Sequence, residues 1–281
     1  MHPIQLIAAD FDGTLLSPDG SISPRNLAAI RAAQQAGIVF AAATGRYAEN
    51  ASQMMVDAGI DCPVISTNGA VVEKRPFGER ILDITLDGQA ARRVFERLEQ
   101  TGEGYYIFGR GSVCTRRADG RRHISEADAA HFALLQQRVK YEYGLEACLA
   151  ALTRPIHKFF AFFSDPDRGD AVSQAFFDIP GIEVTRSGRS NLEIMSDKAN
   201  KGIGLSALAR ALGIGREAVM ALGDQHNDLP MLRFAGLGIA MGNAEEDIKR
   251  QADAVTATNA EDGVAEAIQR YCLDPLAVPR I

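Results

Sequence analysis

Two carboxylates stand two positions apart in the run Asp10-Phe11-Asp12-Gly13-Thr14. Such a pair, directly after an apolar stretch, is costly to hold together unless a cation screens it. One carboxylate can attack phosphorus and form an acyl phosphate. The other can protonate a leaving alcohol and then activate water. Gly13 permits the turn that brings the second carboxylate back to the site. A second acidic run, Gly223-Asp224-Gln225-His226-Asn227-Asp228, offers Asp224 as a ligand for Mg²⁺. That ion takes few carboxylates and completes its shell with water and substrate oxygens. Asn227 and Asp228 open a helix and can cap it; Asp228 can also orient its neighbours.

Three further clusters complete the set. Thr44, in Ala43-Thr44-Gly45-Arg46, brings a hydroxyl, and the amides after it can donate to a phosphoryl oxygen. Asn68, in Thr67-Asn68-Gly69-Ala70, lies in a turn-forming run. Lys201 stands where a helix begins, a place the helix dipole makes unfavourable for a cation. Its functional role would be to neutralise phosphate and hold the charge of Asp10; the alternative is an ordinary surface lysine. Lys198 lies close by, and Lys201 is preferred because the predicted helix starts there.

These residues need a frame that brings them to one rim. Ile4–Ala9, Ile38–Ala43 and Pro63–Ser66 read as short buried strands. Pro24–Ala36 reads as a helix, with Ser23 as its cap, Pro24 at its first turn and Gly37 as its stop. The grammar returns with a helix at Lys201–Leu212, whose apolar side carries Ile203, Leu205, Leu208 and Leu212. A strand at Ala218–Leu222, a helix at Leu229–Phe234 and a strand at Leu237–Ala240 follow. Ala244–Ala252 reads as a helix, Ala254–Thr256 as a strand and Ala260–Tyr271 as a closing helix. Alternating strands and helices imply a parallel sheet covered on both faces. Open parallel sheets bind ligands at the carboxyl ends of their strands; Asp10, Thr44, Asn68 and Asp224 all fall there.

The middle of the chain reads differently. Arg80–Leu86 alternates as a half-exposed strand, and Gln89–Gln100 is helical. Tyr105–Phe108 and Ser112–Arg116 form a hairpin pattern around Gly109–Gly111. Ala127–Tyr143 reads as a long helix, His157–Phe163 as an aromatic strand and Gly169–Phe177 as a helix. Ile182–Thr185 and Asn191–Met195 flank a turn at Ser187-Gly188-Arg189. The expected fold is therefore α/β, a Rossmann-like doubly wound core of residues 1–83 and 191–281. An α+β domain, 84–190, interrupts it.

Bulk composition narrows the partners. With 281 residues and 46% hydrophobic side chains, the chain can bury a sizeable core. Its net charge of −6 gives no basic excess for a nucleic-acid backbone. No apolar run approaches the ~20 residues that span a bilayer. The N-terminus carries no cationic segment before an apolar stretch, so a cytoplasmic protein is expected. Cys62, Cys114, Cys148 and Cys272 form no Cys-x-x-Cys pair and read as free thiols.

Taken in order, Asp-Phe-Asp-Gly-Thr at 10–14, Thr-Gly-Arg at 44–46, Asn-Gly-Ala at 68–70, Asn-Lys-Gly at 200–202 and Gly-Asp-Gln-His-Asn-Asp at 223–228 resemble one family. It is the haloacid dehalogenase superfamily, in particular the Cof-like phosphatases with a C2B-type cap (subclass IIB). The resemblance covers nearly the whole chain. It implies Asp10 as nucleophile and metal ligand, and Asp12 as acid/base with its backbone carbonyl on Mg²⁺. Asp224 completes the protein's ligands. Phe11, Thr44, Gly45, Lys201 and Asn227 would hold the phosphoryl group, with Asn68 and Asp228 in support. Asn200 stands where the family more often has a small hydroxyl residue, and Phe11 where it has leucine. The expected activity is hydrolysis of small phosphomonoesters such as sugar phosphates, or of pyridoxal, flavin- or thiamine-pathway phosphates. A phosphomutase and a non-catalytic phospho-ligand sensor are the alternatives, and intact Asp10, Asp12, Asp224 and Lys201 argue against the sensor. The insert would act as a lid that reads the leaving group through some of its polar residues His157, Lys158, Arg186 and Arg189, the others facing solvent.

Overall fold

The computed structural model describes residues 3–116, 138–163, 165–186 and 190–274. By internal contacts the chain divides into two compact units, Met1–Leu82 with Asn200–Ile281, and Asp83–Ala199.

The first unit is built on an eight-stranded sheet. In chain order its strands are β1 Leu6–Ala9, β2 Val39–Ala43, β3 Val64–Ser66, β4 Val71–Glu73 and β5 Arg80–Asp83. After the insert come β12 Val219–Gly223, β13 Leu237–Ala240 and β14 Ala254–Val255. The spatial order is β14-β13-β12-β1-β2-β3-β4-β5. β1 pairs parallel with both β12 and β2, so the direction of winding reverses at β1. In open sheets ligands bind at the carboxyl ends of the strands at such a reversal, and Asp10 directly follows β1 there.

Both faces of this sheet are covered. Ile7 and Ala9 pack in one apolar cluster with Ile30, Met55 and Val264. Leu6 and Ala8 pack in another with Leu205, Leu208 and Met231. A strand buried on both sides must be apolar throughout, which is why β1 and β2 show no alternation. The helices are α1 Pro24–Gln35 and α2 Ala48–Asp57, then, beyond the insert, α6 Lys201–Leu212, α7 Leu229–Phe234, α8 Glu246–Lys249 and α9 Gly263–Ile268. The Ser23 hydroxyl accepts from Asn26 N–H at 3.0 Å and caps α1 as its sequence implies.

The second unit carries a six-stranded sheet. Its strands are β6 Gly104–Gly109, β7 Ser112–Thr115, β8 Lys140–Tyr143, β9 Ile156–Phe162, β10 Ile182–Thr185 and β11 Asn191–Ser196. Their order is β10-β11-β9-β6-β7-β8. Helices α3 Gly88–Thr101, α4 Leu145–Ala151 and α5 Gly169–Gln174 share an apolar cluster with alternate residues of β6, β9 and β11.

Several expectations change. Residues 140–143 form β8, paired parallel with β7, and not the end of a helix; 127–137 lie outside the described residues. Lys140-Tyr141-Glu142-Tyr143 alternates charge with aromatic, a strand period. β11 joins the second unit's sheet, and the contact division falls at Asn200 instead of 191. On α6, Leu205 and Leu208 are buried, whereas Ile203 and Leu212 are exposed. The buried stripe runs through Lys201, Leu205 and Leu208, so the helix carries its first lysine inward. α2, β4 and α4 had no counterpart in the sequence reading. All four cysteines are free. Among the described residues, no helix is long and apolar enough to cross a membrane.

Candidate active site

Asp10 leaves β1 with its N–H bonded to Leu222 O of β12 at 3.0 Å. That bond fixes the two strand ends side by side and places Asp10 next to the turn that carries Asp224. Asp10 is 4% exposed and Asp224 3%. Lys201 Nζ donates to Asp10 Oδ1 and to Asp228 Oδ1, both at 2.6 Å. Lys201 is buried, whereas its competitor Lys198 is exposed.

Asp10, Asp224 and Asp228 each turn a carboxylate oxygen into a space where these atoms lie within 4.8 Å of one another. Three carboxylates thus face one ammonium. Burial, and then the charges of Asp228 and Asp224, push the Asp10 carboxyl well above its ordinary range against the opposing pull of Lys201. Burial, followed by the charge of Asp228, raises Asp224 to about 6. Burial opposes the charged form of Lys201, but Asp10 and Asp228 together hold its ammonium above the usual lysine range.

The donor set fits Mg²⁺. The cluster is all oxygen, as hard cations require, and its anionic excess calls for positive charge. Asp228 is already engaged: Oδ1 accepts from Lys201, and Oδ2 accepts from the N–H groups of Asp224 and Gln225, both at 2.9 Å. It therefore orients the 224–228 turn, leaving Asp10 and Asp224 as the better-placed ligands. Asn227 donates through Nδ2 to Asn68 Oδ1 at 3.1 Å. Its own Oδ1 is buried with no donor among the described residues, an acceptor suited to a cation or a bound donor.

The other motif residues converge on the same rim of the first unit. Thr44 N–H bonds Ile65 O at 2.8 Å, and Asn68 N–H bonds Thr44 O at 3.0 Å. The Thr44 hydroxyl is buried and accepts from the Arg46 N–H at 3.1 Å; Gly45 between them is half-buried. Phe11 places its ring in the core, so only its backbone is available to a ligand. Thr67 and Asn68 both hold positive φ, 51° and 49°, an uncommon conformation for non-glycine residues that marks a constrained turn. Gly13, at φ 85°, passes so close to Asp224 that a Cβ would collide with its carboxylate.

Asp12 behaves differently. Its side chain is 59% exposed and ion-paired with Arg46 at 2.7 Å. Some supporting residues were not legible beforehand. Thr14 Oγ1 donates to Asp224 Oδ1 at 3.0 Å, and Asn243 Nδ2 donates to Gly13 O at 2.8 Å. Thr14 sat within a recognised motif; Asn243 carries no motif signal.

In the second unit, His157 Nε2 lies 2.5 Å from Asp83 Oδ1, and Lys158 Nζ lies 3.2 Å from Glu193 Oε2. Arg186 Nη1 donates to Asp170 Oδ1 at 2.8 Å. Arg189 lies outside the described residues.

The model of the haloacid dehalogenase-like hydrolase family matches residues 7–268. The chain is 34% identical to the phosphatase YwpJ of Bacillus subtilis, over 95% of this chain and 99% of that protein. It is 29% identical to the 5-amino-6-(5-phospho-D-ribitylamino)uracil phosphatase YcsE of the same organism, over 96% of each. A solved subclass IIB sugar phosphatase of the superfamily superposes with a TM-score of 0.77 at 25% identity, covering 94% of this chain and 98% of that one. With the family match spanning nearly the whole sequence, the chain belongs to the haloacid dehalogenase-like hydrolases and is one of their phosphatases.

Proposed function

We propose that the protein is a magnesium-dependent phosphatase of small phosphomonoesters, sugar phosphates or similar metabolites, and that it works through an aspartyl-phosphate on Asp10. The observation that carries this reading is the buried Asp10 carboxylate held by Lys201 at 2.6 Å within a three-carboxylate cluster. A structural ion pair needs one partner of each sign. Surplus anions at the strand ends suit a site for a cation and a phosphate.

Asp10, Asp224 and the backbone carbonyl of Asp12 would hold the metal. Mg²⁺, when bound, supplies charge that offsets the phosphoryl oxygens. In the first step an Asp10 oxygen bonds to phosphorus as the bond to the leaving oxygen breaks, the two in line. Asp12 gives its proton to that leaving oxygen. Lys201, the Thr44 hydroxyl and the amides of Phe11 and Gly45 would neutralise and orient the transferring group, beside Asn227. Asn68 and Asp228 would keep Asn227 and Lys201 in place, through the contacts given above. In the second step water attacks phosphorus, Asp12 takes its proton, and Asp10 is released.

The substrate class draws on two relatives, one named for a phosphorylated ribitylamino compound and one for sugar phosphates. We assign an influence on the choice of leaving group to the inserted unit, through some of His157, Lys158 and Arg186. Alanine at these positions should change KM for some substrates and not for others. The test is phosphate release from a panel of phosphorylated metabolites with magnesium, beside Asp10→Asn. Release by the parent and none by the variant supports the reading. Conversion of one sugar phosphate into its isomer without release would make the enzyme a mutase.

A further inference from the structure

Arg46 follows the two residues assigned to the phosphoryl group, and its guanidinium grips Asp12. Nε donates to Oδ2 at 3.0 Å and Nη2 to Oδ1 at 2.7 Å, a two-pronged match of guanidinium to carboxylate. The fork is braced along α2: Nη1 lies 3.4 Å from Asn50 Oδ1 and 3.2 Å from Met54 Sδ. Its backbone N–H meets the Thr44 hydroxyl. One three-residue segment therefore joins the phosphoryl donors to the side chain that holds the acid/base. Asp12 is the most exposed of the site carboxylates, and an exposed side chain loses rotamer freedom when ordered. The two-pronged grip supplies that order. It also leaves acceptor capacity on both oxygens, since an ionised carboxylate has about four lone-pair positions.

We propose that Arg46 is a positioning residue for the second half of the reaction, holding ionised Asp12 where it accepts a proton from the attacking water. The inference rests on the aspartyl-phosphate reading above. Asp12 loses its proton to the leaving oxygen in the first step, so it is ionised while the phosphoryl group sits on Asp10. That is the charge state the guanidinium fork matches. In the second step the water oxygen bonds to phosphorus and the phosphorus–oxygen bond to Asp10 breaks. Its electron pair returns to the Asp10 carboxylate, and the water proton passes to Asp12. Lysine would keep the charge of Arg46 but not its planar fork.

The two halves separate with 4-nitrophenyl phosphate, whose leaving group departs as a stable anion and needs no proton. Rapid-quench measurements on the parent, R46K, R46Q and D12N follow nitrophenolate and phosphoenzyme together. In R46Q the nitrophenolate burst should become stoichiometric while phosphoenzyme hydrolysis slows roughly 10–100-fold, the usual cost of a misplaced group. R46K should fall between R46Q and the parent. Adding R46Q to D12N should change little, because both act through one carboxylate. Hydrolysis in R46Q at the parental rate would overturn the inference. So would equal slowing of both steps, the signature of a general structural defect, or additive losses in the double variant. Phosphoenzyme absent from all four proteins would instead remove the aspartyl-phosphate reading, and this inference with it.

Discussion

Thr14 Oγ1 donates to Asp224 Oδ1 at 3.0 Å although the two are 210 positions apart. The bond joins the turn after β1 to the turn after β12, the two adjacent parallel strands that carry Asp10 and Asp224. It also spends one oxygen of Asp224 on a neutral donor, which orients the carboxylate without cancelling its charge.

The buried ammonium of Lys201 should matter for stability as well as turnover. Lys201→Met leaves three buried carboxylates with no cation among their hydrogen-bond partners. Breaking a buried pair by removing one member costs about 3–5 kcal/mol. Urea unfolding should register that loss, and adding Asp228→Asn should restore part of it. A Lys201→Met protein as stable as the parent would contradict the arrangement.

Asp224 sets a pH dependence whose sign is defined. Its carboxyl is raised to about 6 in the folded protein, first by burial and then by Asp228, and titrates near 4 when unfolded. Between these values the native state holds a proton that the unfolded chain has released. Metal-free protein should therefore lose stability as pH rises from about 4 to about 6, by up to ~3 kcal/mol for this group. Asp10 is raised too and acts in the same direction. Thermal unfolding in chelator should show a steeper fall than in Asp224→Asn, and saturating magnesium should flatten it. Chelator should also abolish activity. A metal-free protein that gains stability relative to Asp224→Asn over this range would refute the assignment.

Gly13 tests the turn between the paired aspartates. At φ 85°, with Asp224 where a Cβ would go, alanine is strained twice. The backbone term alone is about 1–2 kcal/mol. Gly13→Ala should lower stability by at least that amount and weaken magnesium binding, measured by calorimetry. Unchanged affinity would mean the Asp224 carboxylate can shift without consequence.

Asp12→Ala should slow turnover of an alkyl phosphate by roughly 10²–10⁴-fold, the usual contribution of general acid–base catalysis. The loss of the first step should be smaller with 4-nitrophenyl phosphate, whose leaving group needs no proton. Equal losses of that step with both substrates would remove Asp12 from the acid role.

Much of this site was legible because its residues stand at the ends of apolar runs. Ile7 to Ala9 and Phe40 to Ala43 announce buried strands, and Asp10 and Thr44 are the first polar residues after them. Lys201 was legible as a cation where a helix dipole disfavours one. Arg46 and Asn243 were not assigned roles, since contacts spanning 34 and 230 positions leave no periodic trace. The strand β8 was misread because four alternating residues are too few to outweigh a longer helical pattern beside them. The exposed Ile203 was misassigned because its apolar character, not its angular position on α6, decided the reading.

The central claim is a phosphoryl group carried on Asp10. Enzyme quenched during turnover and reduced with borohydride should convert an acyl phosphate at that position into homoserine. Peptide mass spectrometry should then find the mass change at residue 10, and none in Asp10→Asn. Reduction at another carboxylate, or turnover that persists in Asp10→Asn with no reducible intermediate, would contradict the account.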